Sequence, residues 1–526
     1  MTPPPGLDRR LFLALGVGSA AATGIVGPVW ANPRFGSDPF AVGVASGEPR
    51  TDAVVIWTRL APDPGALDGS GGMPDRRVPV SWQVAEDEQL RRVVRSGATV
   101  TSAEVGHSVH VDVTGLQPGR EYFYRFRVGQ DVSPVGRTKT MAAGTGTRDM
   151  TFAFASCQSY SNGYFSGYPH MVADDPDVVF FLGDYIYRQP GLVTPGGGHL
   201  VERQNAPQHS CETLADFRLR YAHYRTDPQL AEAHRLLPWV VTIDDNEIDN
   251  NWFSTDPDPA RVARRIVGMQ AFWENMPLLP SSRPVGWQLP VAYRRLSYGD
   301  LVDFHVITTR HFRQESPSGE CAVEDRDGGF CPPALDPDRT ILGDQQERWL
   351  HDGLRTSTAQ WNVLANQVFF TMRDKNKNAK PDKDVNLAAW DGFVADRQAI
   401  LDLLAAEHIR NFVVITGDSH RNWVANTPPT YRDWDTGAPP IATEFLVTSI
   451  NSGGERVPNP TYGPAKQSTP HLLYRDNSHG YALATVDRDQ LRIDYRAVST
   501  VLSPAATIET ISSWTVADDQ PGAVAL

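Results

Sequence analysis

A layered α/β domain with its β-sheets inside, preceded by a β-sandwich of the fibronectin type, is the fold that this 526-residue sequence predicts. Three observations carry that reading. Short, wholly apolar runs at Phe152–Ala155, Val178–Leu182 and Phe412–Ile415 stop abruptly at small or polar residues, as buried strands emptying into loops do. Segments with apolar residues at helical spacing lie between and beyond them, giving the strand–helix alternation of a layered domain. Residues 38–143 instead hold short alternating segments separated by Pro, Gly and Asp, the rhythm of a sandwich.

Taken in order, the chain begins with Arg9-Arg10 ahead of a weakly apolar, Gly/Ala-rich stretch and a small-x-small end at Val29-Trp30-Ala31. This resembles a twin-arginine export signal over residues 1–31, because Pro28 and the interspersed glycines make the stretch too short and too polar for a membrane anchor. In the sandwich region Val54–Thr58, Val78–Val84 and Tyr122–Phe126 read as strands, and Ala142–Thr147 as a small, flexible linker. From residue 150 to 515 the layered domain follows. Val262, Ile266, Met269 and Trp273 after Pro259 predict one amphipathic helix. Gln346, Trp349, Leu350 and Leu354 predict a second, and Ile400, Leu401, Leu403 and Leu404 a third. Leu301–Ile307 and Trp361–Leu364 read as strands. The charged stretch Thr371–Lys383 reads as a solvated excursion rather than a lid.

Chemistry gathers where the apolar runs end. Val178–Leu182 delivers Gly183-Asp184-Tyr185-Ile186-Tyr187, and Phe152–Ala155 delivers Ser156-Cys157. Pro238–Ile243 delivers Asp244-Asp245-Asn246-Glu247, and Phe412–Thr416 delivers Gly417-Asp418-Ser419-His420. One Gly-Asp after a strand is ordinarily a turn with a side-chain cap. Four mouths bearing carboxylate, imidazole, phenol and thiol donors point instead to a metal site, since the mouths of such strands open on a shared crevice. Cys157 taken alone would be an inert buried residue.

These four motifs resemble those of the alkaline phosphatase D family within the calcineurin-like metallophosphoesterases, over nearly the whole chain. The resemblance implies two packed β-sheets flanked by helices, and a binuclear or larger metal cluster of ferric iron and calcium. It implies Cys157, Asp184, Tyr187 and His420 on the iron, and Asp184, Asp245 and Asp418, with Asn366, on the calcium. Phenolate and thiolate donors accord with a ferric ion, and an all-oxygen set with calcium. Asp184, with two oxygens, is the candidate bridge. Where most relatives carry His after the paired aspartates this chain carries Asn246. Its amide can hold an oxygen but delivers no proton at a useful pKa, which puts turnover of poor leaving groups in question. Glu247 is expected to face outward and bond backbone. Arg91 in the sandwich reads most simply as part of a solvated face, but would meet a phosphate oxygen if that domain leans over the site; Asn162 and Arg310 are weaker candidates from the strand mouths.

The functional expectation is a metal-dependent phosphatase of phosphomonoesters and phosphodiesters, exported through the twin-arginine machinery and secreted, periplasmic or wall-associated. Phospholipase D-type cleavage on the same scaffold is an alternative. A metal- or phosphate-binding exported protein with weak turnover is another. A net charge of −13 argues against bulk nucleic acid or anionic membrane as partners, but not against a small phosphoester held by local cations. No run after the leader reaches membrane-spanning length, so no stable membrane insertion is expected after its removal. Cys321 and Cys331 flank a turn-rich polar loop and read as a local disulfide. Cys211 finds no place in this reading. No Ser stands in a setting suited to serine-based phosphatase chemistry, nor in a seryl-hydrolase elbow.

Overall fold

The computed structural model describes residues 34–147, 149–191, 203–321, 329–374, 384–433, 436–453 and 469–526. The leader and most of the charged excursion, residues 375–383, therefore lie outside the described residues. The chain opens with β1 (Val44–Gly47), β2 (Ala53–Arg59), β3 (Val78–Ala85), β4 (Val93–Thr101), β5 (Ser108–Thr114), β6 (Glu121–Val128), β7 (Asp131–Val132) and β8 (Gly136–Lys139). Strands and helices then alternate through β9 (Met150–Ala155), α1 (Tyr168–Asp174), β10 (Val178–Phe181), α2 (Leu214–Arg225), α3 (Pro228–Leu236), β11 (Pro238–Val241) and α4 (Pro259–Asn275). Next come β12 (Arg294–Tyr298), β13 (Val302–Val306), α5 (Gly343–Thr356), β14 (Trp361–Ala365), α6 (Val394–Ala406) and β15 (Phe412–Thr416). The chain ends in strands: β16 (Asn422–Thr427), β17 (Ala442–Leu446), β18 (Leu472–Asp476), β19 (Gly480–Val486), β20 (Gln490–Val498), β21 (Ile508–Ala517) and β22 (Gln520–Ala525).

Two sheets face each other. One has ten strands in the order β22-β21-β20-β19-β9-β10-β11-β1-β2-β5, the other seven in the order β12-β13-β14-β15-β17-β16-β18. The period-2 alternation of a strand explains why the central runs are apolar throughout. Phe152, Phe154, Val178 and Phe180 point between the sheets, against Phe304, Val363 and Ile415 of the other sheet. Their neighbours Ala153, Ala155, Val179 and Phe181 point the other way, under aromatic and aliphatic residues of α1 to α4. Leu350 of α5 and Ile400 and Leu404 of α6 cover Leu364 and Val414 on the outer face of the seven-stranded sheet. The result is a helix–sheet–sheet–helix stack.

The N-terminal β-sandwich forms as expected, with Val54, Ile56 and Val111 packed against Val80, Tyr124 and Phe126 of the second sheet β4-β3-β6-β7. It is not set off as a separate body. β1 pairs in parallel with β11, Ser46 opposite Pro238 and Gly47 opposite Trp239, so one face of the sandwich continues the large sheet. The stretch read as a flexible linker is tied down as well. The Gly146 and Thr147 amides donate to the Asp300 carboxylate at 3.1 and 3.2 Å, and Arg488 Nε donates to the Thr147 carbonyl at 3.0 Å.

The three predicted helices are α4, α5 and α6, but α4 is rotated from its expected stripe. Ile266 is exposed, while Arg265, Met269, Phe272 and Trp273 are buried. The Arg265 guanidinium lies over the Trp287 ring at 5.0 Å and donates to the Asp256 carbonyl at 3.3 Å, so a charged residue takes the inward position that periodicity reserves for an apolar one. Cys321 and Cys331 form a disulfide, with Cα atoms 5.6 Å apart. Cys211 is a buried core thiol, pushed up to about 12 by burial. Among the described residues no helix is long and apolar enough to cross a membrane.

Candidate metal centre

The parallel strands β9, β10 and β11 lie side by side, so their C-terminal ends open at one edge of the ten-stranded sheet, where the end of β15 meets them from the facing sheet. Backbone bonds bind the mouths together. The Cys157 N–H donates to the Gly183 carbonyl and the Gln158 N–H to the Asp184 carbonyl, both at 3.0 Å. Gly183, at φ +105°, is required here: a Cβ on it would lie 2.4 Å from the Asp244 Cβ. Gly453, at φ +57°, closes the opposite side, where a Cβ would lie 2.2 Å from His420 Nδ1. Cys157, Asp184, Asp418 and His420 all sit in the left-handed region, at φ 58°, 58°, 60° and 53°. Each such residue costs on the order of 1–3 kcal/mol, which the surrounding structure must override. That four donor residues carry this strain marks the mouths as shaped for what they hold.

Two donor groups share one carboxylate. Ligand atoms of Cys157, Asp184 and His420 lie within 4.8 Å of one another, and so do those of Asp184, Asp244 and Asp245. Donors about 2.0–2.3 Å from a common ion have that spread. The Tyr187 hydroxyl and His420 Nε2 are 3.1 Å apart, which brings the phenol into the first group. Asn246 steadies the shared residue: its backbone N–H donates to Asp184 Oδ1 at 3.1 Å, and its Nδ2 donates to Asp184 Oδ2 at 2.9 Å and Asp245 Oδ1 at 2.7 Å.

Arg310 is the counter-charge. Its Nε donates to Asp244 Oδ1 at 2.6 Å, its Nη2 lies 3.3 Å from Asp245 Oδ2, and its Nη1 donates to Asn251 Oδ1 at 3.1 Å. One guanidinium does not balance this many acids. Burial, then Asp245 and Asp244, push Asp184 well above the ordinary carboxyl range. Burial, then Asp244 and Asp245, push Asp418 up to about 7. Burial, then Asp184, also push the Cys157 thiol and the Tyr187 phenol well up. Asp244 Oδ2 is buried with no hydrogen-bond partner. Without cations these groups hold protons; with cations they become ligands. The donor types, the shared carboxylate and the orphaned oxygen fit two metal ions.

Of the residues singled out from sequence, the structure brings together Cys157, Asp184, Tyr187, Asp245, Asn246 and His420. Asp418 stands at the fourth mouth, half-buried, outside both donor groups. The Thr416 hydroxyl donates to Glu444 Oε1 at 2.8 Å, so its lone pair accepts Asn366 Nδ2 at 3.0 Å. Asn366 Oδ1 accepts from the Trp390 indole N–H at 3.1 Å and keeps a second lone pair, so this contact does not exclude a ligand role. Glu247 is buried rather than outward, but does bond backbone, accepting from the Tyr185 N–H at 2.7 Å and the Asp244 N–H at 3.2 Å. Arg91 is exposed in the β3–β4 hairpin, where its N–H donates to Asp87 Oδ1 at 3.1 Å, and its contacts do not reach the cluster. Asn162, half-buried in the turn after Cys157, makes no side-chain hydrogen bond among the described residues. Sequence reasoning undervalued Asp244 and Arg310. The doubled aspartate was the available signal for the first; no local pattern marks the second.

Comparisons with known proteins point to one family. A family model described as PhoD-like phosphatase matches residues 152–495, and one described as PhoD-like phosphatase, N-terminal domain, matches residues 26–142. The chain is 40% identical to alkaline phosphatase D of Bacillus subtilis (strain 168), over 98% of this chain and 88% of that protein. A solved structure of PhoD matches with a TM-score of 0.87 at 40% identity, covering 94% of this chain and 93% of that one. Purple acid phosphatase PPD1 from yellow lupin (Lupinus luteus) seeds shares the fold, with a TM-score of 0.54 at 13% identity over 90% of this chain and 74% of that one. With two family models and a near full-length relative in agreement, the chain belongs to the PhoD-like phosphatase family of phosphoric ester hydrolases.

Proposed function

We propose that this phosphatase is an exported enzyme that hydrolyses phosphomonoesters and phosphodiesters with water as the nucleophile, at a ferric iron and calcium pair bridged by Asp184. The observation that carries this reading is the single carboxylate common to both donor groups. Cys157, Asp184, Tyr187 and His420 would hold the iron, and Asp184, Asp245 and the orphaned oxygen of Asp244 the calcium; Asp418, outside both donor groups, joins the calcium by the family resemblance alone. Bound there, the ions would supply Lewis acidity and a water of lowered pKa. The remaining work falls to the chain. Arg310 fixes Asp244 and Asp245, while Asn246 spends both amide hydrogens on Asp184 and Asp245 and delivers no proton. Burial holds Glu247 protonated up to about 8, but backbone N–H groups engage both its oxygens. Solvent water is then the proton source for the leaving group. The twin-arginine leader motivates export of the folded, metal-loaded protein.

A second reading, phospholipid cleavage of the phospholipase D type, has one observation in its favour. An apolar hollow of about 360 Å³, lined by Trp287, Leu289, Tyr293, His311 and Phe312, opens beyond Trp252. The Trp252 ring packs against Trp287 and His311 of the hollow at 6.3 and 5.4 Å, and its indole N–H donates to the Asp244 carbonyl at 2.9 Å, so Trp252 stands between the hollow and the metal centre. Nitrophenyl phosphate, bis-nitrophenyl phosphate and phosphatidylcholine assayed side by side on metal-loaded enzyme separate the readings. The first two are expected to turn over. Turnover of the lipid alone supports the second reading, and hydrolysis of none removes both.

A further inference from the structure

Beside the carboxylate cluster, on the wall made by β16 and β18, stands a group of opposite charge. Arg421 follows His420 directly as the chain enters β16. Two residues on, Trp423 pairs across the strands with Arg475 of β18. Arg373, from the loop after β14, lays its guanidinium 4.9 Å from the centre of the Trp423 ring and 5.5 Å from that of Phe369. Arg475 lies over the same indole at 5.3 Å.

Aromatic faces attract cations, but several cations gathered on one indole repel each other. Burial, then Arg421 and Arg475, bring Arg373 down to about 10. No carboxylate among the described residues forms an ion pair with it. Asp391 accepts its backbone N–H at 3.3 Å but gives its other oxygen to Arg397 at 2.7 Å. The other acid whose charge reaches Arg373 is Asp418, at the metal centre. Arg421 commits only its Nε, to Asn477 Oδ1 at 2.9 Å, and its terminal nitrogens have no acceptor among the described residues. Among the described residues, two half-buried guanidinium forks beside the metal centre thus keep donors uncommitted, and no carboxylate pairs with either.

We propose that Arg373 and Arg421 form a clamp for the phosphoryl group, matched to the dianionic phosphate of a monoester rather than the monoanion of a diester. Two planar forks offer paired donors to two sets of non-bridging oxygens; a diester has fewer such oxygens to fill them. The inference deepens the proposed phosphoester hydrolysis and rests on it.

Metal-loaded wild type, Arg373→Gln, Arg421→Gln and the matching Lys variants are compared on nitrophenyl phosphate and bis-nitrophenyl phosphate. Inhibition by inorganic phosphate and metal content are measured for each. Losing a charge-assisted donor pair should lower kcat/KM for the monoester by about ten- to a hundredfold and weaken phosphate inhibition by a similar factor. The diester should fall less than about threefold, metal content should hold, and Lys should restore part of the loss, since it keeps the charge without the fork. Equal losses on both esters, unchanged phosphate inhibition or loss of metal would each overturn the clamp. The Lys variants keep the test readable should a Gln variant not fold. If wild type hydrolyses neither ester, the hydrolase reading itself fails. Calorimetric phosphate binding to wild type and variants still decides the clamp: weaker binding by the Gln variants supports it, and equal binding overturns it.

Discussion

Replacing Arg310 with Met removes the guanidinium from the acid cluster while keeping most of the stem volume. The head group donates at 2.6 Å to Asp244 and at 3.1 Å to Asn251, approaches Asp245 at 3.3 Å, and belongs to a side chain only 1% exposed. Breaking a buried pair by deleting one partner costs about 3–5 kcal/mol, because the surviving charge stays buried. Protonation of Asp244, already pushed up by burial, holds the cost to the lower end of that range. Even about 3 kcal/mol is a large share of the 5–15 kcal/mol typical of a folded domain. The assay is urea unfolding of metal-stripped and metal-loaded protein, wild type against Arg310→Met, with the slope checked so that a shifted midpoint reads as stability. The full loss is expected in stripped protein and a smaller one in loaded protein, where bound cations take over the neutralising role. A loss below about 1 kcal/mol in stripped protein, or the same loss in both forms, would refute the idea that Arg310 and the metals balance one pool of charge.

Three further outcomes are expected. Cys157→Ala should remove iron and activity together, by metal analysis and turnover of nitrophenyl phosphate; full iron content in the variant contradicts the thiolate ligand. Asn246→His should raise turnover chiefly for esters with poor leaving groups, since imidazole supplies the proton the amide does not; a uniform change across a leaving-group series tells against that role. Stripped protein should lose stability as pH rises from about 7.5 to about 8.5. Burial holds Asp418 up to about 7 and Glu247 up to about 8, so over that span the folded state binds more protons than the unfolded one. Histidines kept neutral by burial, such as His110, His305 and His311, pull the other way through their ordinary value near 6.5 and are spent by about pH 7.5, so the fall is read above that. A midpoint that climbs with pH there is the wrong sign.

The strands that build the site were legible because burial on both faces writes an unbroken apolar run, and because Cys157, Asp184, Asp244 and Asp418 follow such runs within a few residues. Helices α5 and α6 were legible for a related reason, their apolar residues recurring on one face. What local pattern does not carry is partnership over long distances. The parallel pairing of β1 with β11 joins segments nearly two hundred residues apart, and neither strand shows it. Arg310 looks like any arginine until the fold sets it against Asp244 and Asp245. Glu247 was misjudged likewise: a polar side chain's direction depends on neighbours such as Tyr185, which arrive from elsewhere in the chain. The α4 stripe failed because Arg265 finds a buried position over Trp287, which apolar periodicity does not anticipate.

The most direct measurement is an anomalous-scattering map from crystals of protein purified out of a host competent in twin-arginine export. Two peaks bridged by the Asp184 carboxylate are predicted, one of them iron within bonding distance, about 2.0–2.4 Å, of Cys157 Sγ, the Tyr187 phenol and His420. An iron peak beyond reach of Cys157, or no ion touching Asp184, would contradict the account.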